Sequence, residues 1–518
     1  MNDEVQPHII TQLANELLSD IFVAYSELNH DKPLAQLLLT HVCHSWRDVA
    51  LNSAPRLWTI LYMSFGLSLS DFDYQSMIMT WLNRSVLPVD VRIEQEQPLS
   101  LFEPRRCVPP GVVTAMVSVS SRIRTLKIQG TVKSLTPLIS LPSGSFPILT
   151  TLDLTIDQKG QDQPRNPPKV FAFAKSPLRK LNWRWCNSDS LALYGSEYGC
   201  FLFDNFFFNG THVTSLSLEN KSSITPGTSW NLLTSFQNLV DCTLWFGYCG
   251  DYSSMLPLTP PNLTAFTLKS ESEATLVESN ALAFIDAPSL TELHLEFLMS
   301  SVMGGYNRNN PLASTLVAFS KRFHLTHLSL IRADLIPPEE LPIIINAFSS
   351  LRSFTFIAKK VVPKTFLQSL ICKDKEEQAV LPHLEFLRFG QYSEQSSNVL
   401  RNTNALRNSN ALLPNQLLEV VESRWLEEKM KCFRVHSRLM KVQIDRVIDL
   451  TQDQGYGNGT AVSLPRSSEV PLNPSLLDPQ DEWLSTFNAE ENSRLQYLQA
   501  GGFTIVEGTL YVREEDMI

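Results

Sequence analysis

Apolar residues near the start of the chain recur at helical spacing. Two apolar pairs, at 17–18 and 21–22, lie four positions apart, which predicts a helix with a wide apolar stripe. The residues up to 56 predict two more short helices. Three helices of this length cannot bury so many large apolar side chains among themselves, so some should remain exposed for a partner.

A second pattern, L-x-x-L-x-L with other apolar residues tolerated, governs the middle of the chain. Its copies lie about 29 residues apart, and further β-prone segments flank them at 57–63, 89–93 and 439–444. The ten copies begin at Ile123, Leu149, Leu178, Val213, Leu239, Leu263, Leu290, Leu325, Leu351 and Leu384.

This spacing is that of the leucine-rich repeat, at its long and irregular end. Such repeats stack short strands into a parallel sheet, with apolar side chains inside the solenoid and helices or loops on the convex side. The Asn that usually follows the third apolar position is largely missing, which predicts uneven turns. An alternative, a βαβ sheet protein with coincidental spacing, accounts poorly for ten copies. The predicted fold class is therefore α/β.

The helical segment resembles the F-box, the module by which substrate receptors dock on the adaptor of Skp–cullin–F-box ubiquitin ligases. The matching pieces are L-x-x-E-L-L-x-x-I-F at 13–22, V-C-x-x-W-R-x-x-A at 42–50, P-R-L-W at 55–58 and W-L-x-R-S at 81–85, the last two as in fungal members. Ala14 replaces the Pro that is usual at its position. Pro there only pre-sets the first helical dihedral, so the departure is small.

The resemblance implies a Skp-type adaptor as partner and, through it, a cullin. It implies adaptor-binding roles for Leu13, Leu17, Leu18, Ile21, Phe22, Val42 and Trp46.

The two patterns together divide the chain into predicted segments. These are an F-box helical module at 8–56, a connecting strand–helix–strand segment at 57–118, the solenoid at 119–450, a flexible loop at 451–480 and a capping helix with strands at 481–518.

The composition is that of a folded chain with an acidic balance. Apolar residues make up 43% and charged residues 19%, and the net charge is −10, which argues against nucleic acid or an acidic membrane as partner. No signal peptide and no apolar run of about 20 residues is present, so we expect an intracellular protein of cytoplasm, nucleus or both. The eight cysteines contain no C-x-x-C pair and suggest reduced thiols.

Motifs for catalysis are missing from the sequence. It contains no phosphate-binding G-x-x-x-x-G-K-[ST] loop, no G-x-S-x-G elbow and no H-E-x-x-H pair. His41, Cys43 and His44 lie close together, but a helix turns Cys43 away from the two histidines. We therefore predict no catalytic residue, no metal site and no cofactor.

Recognition should use the strand residues between the apolar positions, which would face the concave side of the solenoid. These residues carry charges of both signs, and Trp245 is their one large aromatic, a type favoured as a binding anchor. The predicted target-binding residues are Lys180, Arg184, Glu219, Asp241, Trp245, Glu292, His294 and Glu296.

These observations lead to one functional hypothesis and one alternative. The hypothesis is a non-catalytic substrate-recognition subunit, in which the F-box binds the adaptor and the solenoid holds an unknown protein target. The alternative is a leucine-rich-repeat interaction scaffold with no role in ubiquitin ligation.

Overall fold

The computed structural model describes residues 13–30, 32, 34–65, 74–95, 108–158, 170–187, 210–220, 233–246, 257–270, 273–297, 312–334, 336–358, 366, 370, 381, 383–392, 441–448, 493, 496, 503–506 and 509–512. The predicted flexible loop at 451–480 lies outside the described residues. So do 8–12 of the predicted helical module and most of the predicted capping helix.

The chain forms two compact units, 1–262 and 263–518. The boundary falls inside the predicted solenoid, between the fifth and sixth copies of the repeat, because the sixth begins at Leu263.

The first unit opens with helices and continues as a parallel sheet. Its helices are α1 (Asn15–Leu28), α2 (Gln36–Val42), α3 (His44–Asp48), α4 (Tyr74–Leu82), α5 (Pro110–Ser118) and α6 (Val132–Ile139), with a π-helical turn at Val49–Ser53 and a 3₁₀ turn at Pro55–Thr59. Its strands are β1 (Ile60–Phe65), β2 (Val89–Gln95), β3 (Ile123–Thr131), β4 (Thr151–Gln158), β5 (Lys180–Asn187), β6 (Ser215–Asn220) and β7 (Asp241–Phe246). They pair in chain order.

The second unit repeats this arrangement. Its helices are α7 (Glu273–Glu278), α8 (Leu312–Ser320) and α9 (Leu341–Ala347). Its strands are β8 (Ala265–Ser270), β9 (Glu292–Phe297), β10 (His327–Ile331), β11 (Ser353–Ala358), β12 (Phe386–Tyr392), β13 (Lys441–Ile448), β14 (Phe503–Val506) and β15 (Thr509–Val512). Strands β8 to β13 are parallel, and the hairpin of β14 and β15 adds antiparallel pairs through β15.

Every predicted copy of the repeat forms a strand of these sheets. The ten copies give β3 to β12, and the further segments at 57–63, 89–93 and 439–444 give β1, β2 and β13. The leucine-rich-repeat-like, mixed α/β fold predicted from the spacing is confirmed. The C-terminal end of the second unit's sheet differs from ideal repeats, since the last pairings there are antiparallel.

Strand register aligns the apolar positions of successive copies. In the first unit one row runs through Leu61, Val91, Leu126, Leu152, Leu181, Leu216 and Cys242, each the pairing partner of the next. All seven side chains are buried. Full burial of a Leu, Ile or Val side chain contributes about 1.5–3 kcal/mol, so these rows are the main source of stability. Burial, together with the charge of Asp241, raises the pKa of the Cys242 thiol, which therefore acts as a small apolar side chain.

The connection between α1 and α2 and the first residue of α2 hydrogen-bond to the edge of β1. The Leu34 amide donates to the Tyr62 carbonyl oxygen at 3.2 Å, with Leu34 in the left-handed region at φ 52°. The Gln36 side-chain amide donates to Ser26 Oγ of α1 at 2.7 Å and to the Ile60 carbonyl oxygen at 3.4 Å. The helical segment is thus joined to the sheet by one backbone hydrogen bond and one donated by a side chain.

Trp58 also holds the helical segment against the sheet, through contacts in the core. Its side chain is fully buried, and its Nε1 donates to the Ala50 carbonyl oxygen at 2.7 Å. The ring meets Trp81 of α4 edge-on, with centroids 4.7 Å apart, and the Arg84 guanidinium lies 4.3 Å from its centroid. The P-R-L-W and W-L-x-R-S pieces of the sequence therefore contact each other in the fold.

Arginine side chains hold two of the turns between elements. Arg122, just before β3, donates to the carbonyl oxygens of Leu82 and Leu87 at 3.2 Å each and to that of Ser85. Arg322 donates in the same way to three carbonyl oxygens at 282–285. A guanidinium suits this role because it carries several N–H donors in a fixed plane.

Replacing Arg122 with Met should lower the free energy of unfolding by about 2 kcal/mol, because three carbonyl groups, two of them in part-buried contacts, lose a charged donor. Urea denaturation followed by circular dichroism measures the change.

The matched control is Arg56→Met. Arg56 is exposed and forms no side-chain hydrogen bond or ion pair with any described residue, so its loss should change stability by less than about 0.5 kcal/mol. Equal effects of the two substitutions would contradict a specific role for Arg122.

Candidate functional site

The strand residues between the apolar rows form a half-buried polar face in each unit. In the first unit its central row is Tyr62, Arg92, Lys127, Asp153, Asn182, Ser217 and Thr243, again as successive pairing partners. Each is partly exposed, whereas the apolar neighbours on either side are buried. The polar residues form one row because successive side chains of a strand point to opposite sides of the sheet.

Glu94 is the centre of a charged cluster at the start of this face. Its carboxylate accepts from Tyr62 Oη and Arg92 at 3.0 Å each and pairs with Lys127 Nζ at 2.6 Å. The Arg92 guanidinium also lies 4.4 Å from the Tyr62 ring centroid. Burial raises the pKa of Glu94, but the bonds from Arg92, Lys127 and Tyr62 and the charge of Lys127 lower it more, to about 2.

Asp153 lies beside this cluster in a different environment. Burial raises the pKa of its carboxyl more than Lys127, Arg184 and Asn182 lower it. Among the described residues, no Lys, Arg or His nitrogen lies within 4.0 Å of it.

The predicted target-binding residues of the first unit lie on β5 to β7. Arg184 Nε pairs with Glu219 at 3.3 Å, and Ser215 Oγ donates to Asp241 at 3.2 Å. Lys180 and Asp241 are exposed. Four of the predicted residues are therefore accessible on one polar face.

The predicted target-binding residues of the second unit lie on β9. The Glu292 carboxylate lies 3.8 Å from His294 Nε2 and 3.8 Å from Nδ1 of His327 on the neighbouring strand. Glu296 lies 3.6 Å from Lys269 Nζ. All are partly exposed, so this face too carries both signs of charge.

Trp245 does not have the exposure predicted for an anchor. Its side chain is 8% exposed, and its Nε1 is buried without a hydrogen-bond partner among the described residues. The alternation of apolar and polar residues indicates to which side of the sheet a side chain points. It does not indicate whether the side chain is exposed there. The expectation of an open tryptophan surface at this position is wrong.

Helix α1 presents one buried and one exposed apolar row. Leu18, Phe22 and Ser26 are buried, whereas Leu17 and Ile21 are 55% and 47% exposed. The expectation that Leu18 and Phe22 are free for a partner is wrong, because they form the contact of α1 with its own chain. Val42 is exposed as predicted, whereas Leu13 is only partly exposed.

Trp46 is part of the same packing. It is half-buried, and its ring lies against that of Phe22 with centroids 5.0 Å apart. Trp46 therefore packs α3 against α1, and part of its side chain remains exposed.

Sequence reasoning missed two exposed apolar residues of these helices, Leu28 and Leu38. Leu28 lies eleven positions after Leu17, on the same helical face, and Leu38 lies four before Val42. The helical spacing was a signal that could have found both.

Neither a cluster of metal-ligating side chains nor a membrane-spanning helix is found among the described residues. No group of three or more His, Cys, Asp or Glu side chains in that part of the chain could hold a metal ion. None of its helices combines the length and the apolar character needed to cross a membrane.

The Glu94 cluster gives a pH prediction. Because the folded-state pKa of about 2 lies below the ordinary 4.5, Glu94 stabilises the fold above about pH 4.5, and this contribution is lost as the pH falls towards 2. Glu94→Gln should therefore be less stable than wild type near neutral pH, with a difference that shrinks through that range in urea denaturation.

Glu27→Gln is the control, since Glu27 is exposed and in no ion pair with a described residue. It should leave stability unchanged to within about 0.5 kcal/mol at each pH. A difference for Glu94→Gln that is constant with pH would contradict the assigned role.

Comparisons with known proteins add little to this description. No protein-family model matches the sequence. No curated protein matches it either. Among solved structures, the chain is similar to the leucine-rich repeat-containing protein LegL7 from Legionella pneumophila, with 15% sequence identity, 62% of this chain and 91% of that chain covered, and a TM-score of 0.30. The leucine-rich-repeat-like fold is therefore assigned from the strands and their register.

Proposed function

We propose that this protein is a non-catalytic substrate-recognition subunit of a Skp–cullin–F-box ubiquitin ligase. In this proposal α1 to α3 bind a Skp-type adaptor and, through it, a cullin, while the polar faces of the repeat sheets bind a protein target.

The exposed apolar side chains of α1 and α2 are the observation that carries the proposal. Among the described residues, ten large apolar side chains are exposed, and five of these lie between 17 and 42. They form helical rows, with Leu17, Ile21 and Leu28 on α1 and Leu38 and Val42 on α2. Burial of one such side chain against a partner contributes up to about 1.5–3 kcal/mol, so these rows are suited to a helix-packing interface.

The junction with the sheet supports a mechanism by proximity. Hydrogen bonds from Leu34 and Gln36 and the buried Trp58 join the helices to the first strand. A target bound on the polar face of the first unit would then be held at a fixed position relative to the adaptor. Such positioning raises the local concentration of target lysines near a charged ubiquitin carrier, which requires no catalytic group in this chain.

The polar faces support the target-binding part of the proposal. Extended sheets with partly exposed charges of both signs offer area and specific hydrogen bonding rather than a closed pocket. Lys180, Arg184, Glu219 and Asp241 of the first unit and Glu292, His294 and Glu296 of the second are the proposed contacts. Trp245 no longer belongs to this set because it is covered.

The adaptor interface is tested by co-expression of the full chain with a Skp-type adaptor and affinity copurification. We expect wild type to form a stable complex. Leu17→Asp and Ile21→Asp should each weaken it at least about tenfold, because a charge would be buried against an apolar partner. Both residues are exposed, so the variants should fold, as circular dichroism would verify.

Ile343→Asp is the matched control, since Ile343 is an equally exposed apolar residue, on α9 of the second unit. It should copurify like wild type. Failure of wild type to bind the adaptor would instead favour the repeat scaffold without a role in ubiquitin ligation.

A further inference from the structure

Three arginines occupy the same place in the L-x-x-L-x-L repeat, its second residue. They are Arg124, Arg179 and Arg352, and all three side chains are exposed. The backbone is fixed at this place, since the Arg179 amide donates to the Thr150 carbonyl oxygen at 2.8 Å and its own carbonyl oxygen accepts from the Thr214 amide at 2.9 Å. Because the backbone setting is shared, the three arginines can be compared directly.

Two of these arginines bind a carboxylate that a neighbouring strand supplies. Arg124 Nε donates to Asp90 at 3.0 Å, and Asp90 is the strand partner of the residue that follows Arg124. Arg352 lies 3.3 Å from Glu385, which is the second residue of the next copy. A carboxylate from either place is therefore the usual partner of an arginine at this position.

Arg179 has a hydroxyl group in both of these places. The strand partner of the residue that follows it is Thr151, and the second residue of the next copy is Thr214. Arg179 forms no side-chain hydrogen bond or ion pair with any described residue. Its guanidinium is thus an accessible cation without the carboxylate that its two equivalents have.

Lys180 adds a second accessible cation at the start of β5. It is exposed, and its strand partners on either side are Thr151 and Ser215, neither of them acidic. Within the described part of the chain its ammonium is in no ion pair.

The nearest carboxylates of the polar face already have partners. Asp153 accepts a hydrogen bond from Asn182 and interacts with cations other than Arg179 and Lys180. Asp241 lies two strands beyond Lys180 and accepts a hydrogen bond at 3.2 Å from the strand between them. The two cations at the start of β5 therefore remain available to a ligand.

These surroundings select an anionic ligand. A cationic group would be repelled, and an apolar group would cover two charges without an acceptor, which is costly. The net charge of −10 does not prevent binding of an anion here, because charges more than about 8 Å apart are largely screened at physiological ionic strength.

We propose that Arg179 and Lys180 bind an aspartate or glutamate side chain of the protein target. The proposal rests on the proposed function and narrows its recognition surface to one position. The carboxylate would take the role that Asp90 and Glu385 have in the other copies. Thr151 is partly exposed and its hydroxyl has no hydrogen bond with a described residue, so it can supply a further donor.

The test uses the full-length protein and capped Gly/Ser peptides with an uncharged fluorophore, followed by fluorescence anisotropy. The peptides carry a central Glu-Glu pair, a Gln-Gln pair or a phosphoserine. We expect the Glu-Glu peptide to bind wild type and the Gln-Gln peptide not to bind. An exposed ion pair changes an equilibrium by up to about fivefold, so Arg179→Gln combined with Lys180→Gln should weaken binding at least about fivefold.

The charge-matched control is Arg56→Gln combined with Lys133→Gln. Both residues are exposed in the first unit, lie outside its strands and are in no ion pair with a described residue, so binding should stay unchanged. All four residues are exposed, so both double variants should fold, which circular dichroism would verify.

Three results would overturn the proposal. They are absence of binding by the Glu-Glu peptide, equal binding by the Gln-Gln peptide, and equal weakening by the two double variants. Binding of the phosphoserine peptide without the Glu-Glu peptide would assign the position to a phosphate instead. Adaptor copurification uses neither Arg179 nor Lys180, so this proposal and the adaptor interface can fail separately.

Discussion

The in-register alignment of apolar side chains across parallel strands is the constraint on which this structure depends. Each repeat contributes two apolar residues separated by one polar residue, and every pairing places them beside their equivalents on the next strand. A shift of one residue would turn these side chains to the polar face and the charged ones into the core. Both the stability of the sheets and the composition of their polar faces follow from this single alignment.

The repeat strands were predictable because a strand's period is a local property of the sequence. Ten copies and three flanking segments gave strands where the pattern placed them, although the intervening turns vary in length. Burial was less predictable where it depends on contacts between segments. Ile21 and Phe22 both belong to the apolar stripe of α1, but Phe22 packs on Trp46 whereas Ile21 is exposed. Trp245 alternates as a surface residue does and is nevertheless covered.

The charges of the polar face are largely neutralised within the protein. Glu94 accepts from three side chains, and Arg184 pairs with Glu219. Such pairs contribute little affinity for a partner, because binding would have to break or desolvate them. The sequence lists charges but not their pairing, which is why these internal contacts could not be predicted from it.

The contact of Leu34 with the carbonyl oxygen of Tyr62 has a consequence for how the chain can be divided. A parallel sheet ends in a strand with unpaired backbone groups, which can template pairing with other chains. The α1–α2 connection occupies part of that edge on β1. Removal of the helices would therefore expose backbone groups of β1 that can pair with another chain. The helical segment covers an edge of the sheet that could otherwise self-associate.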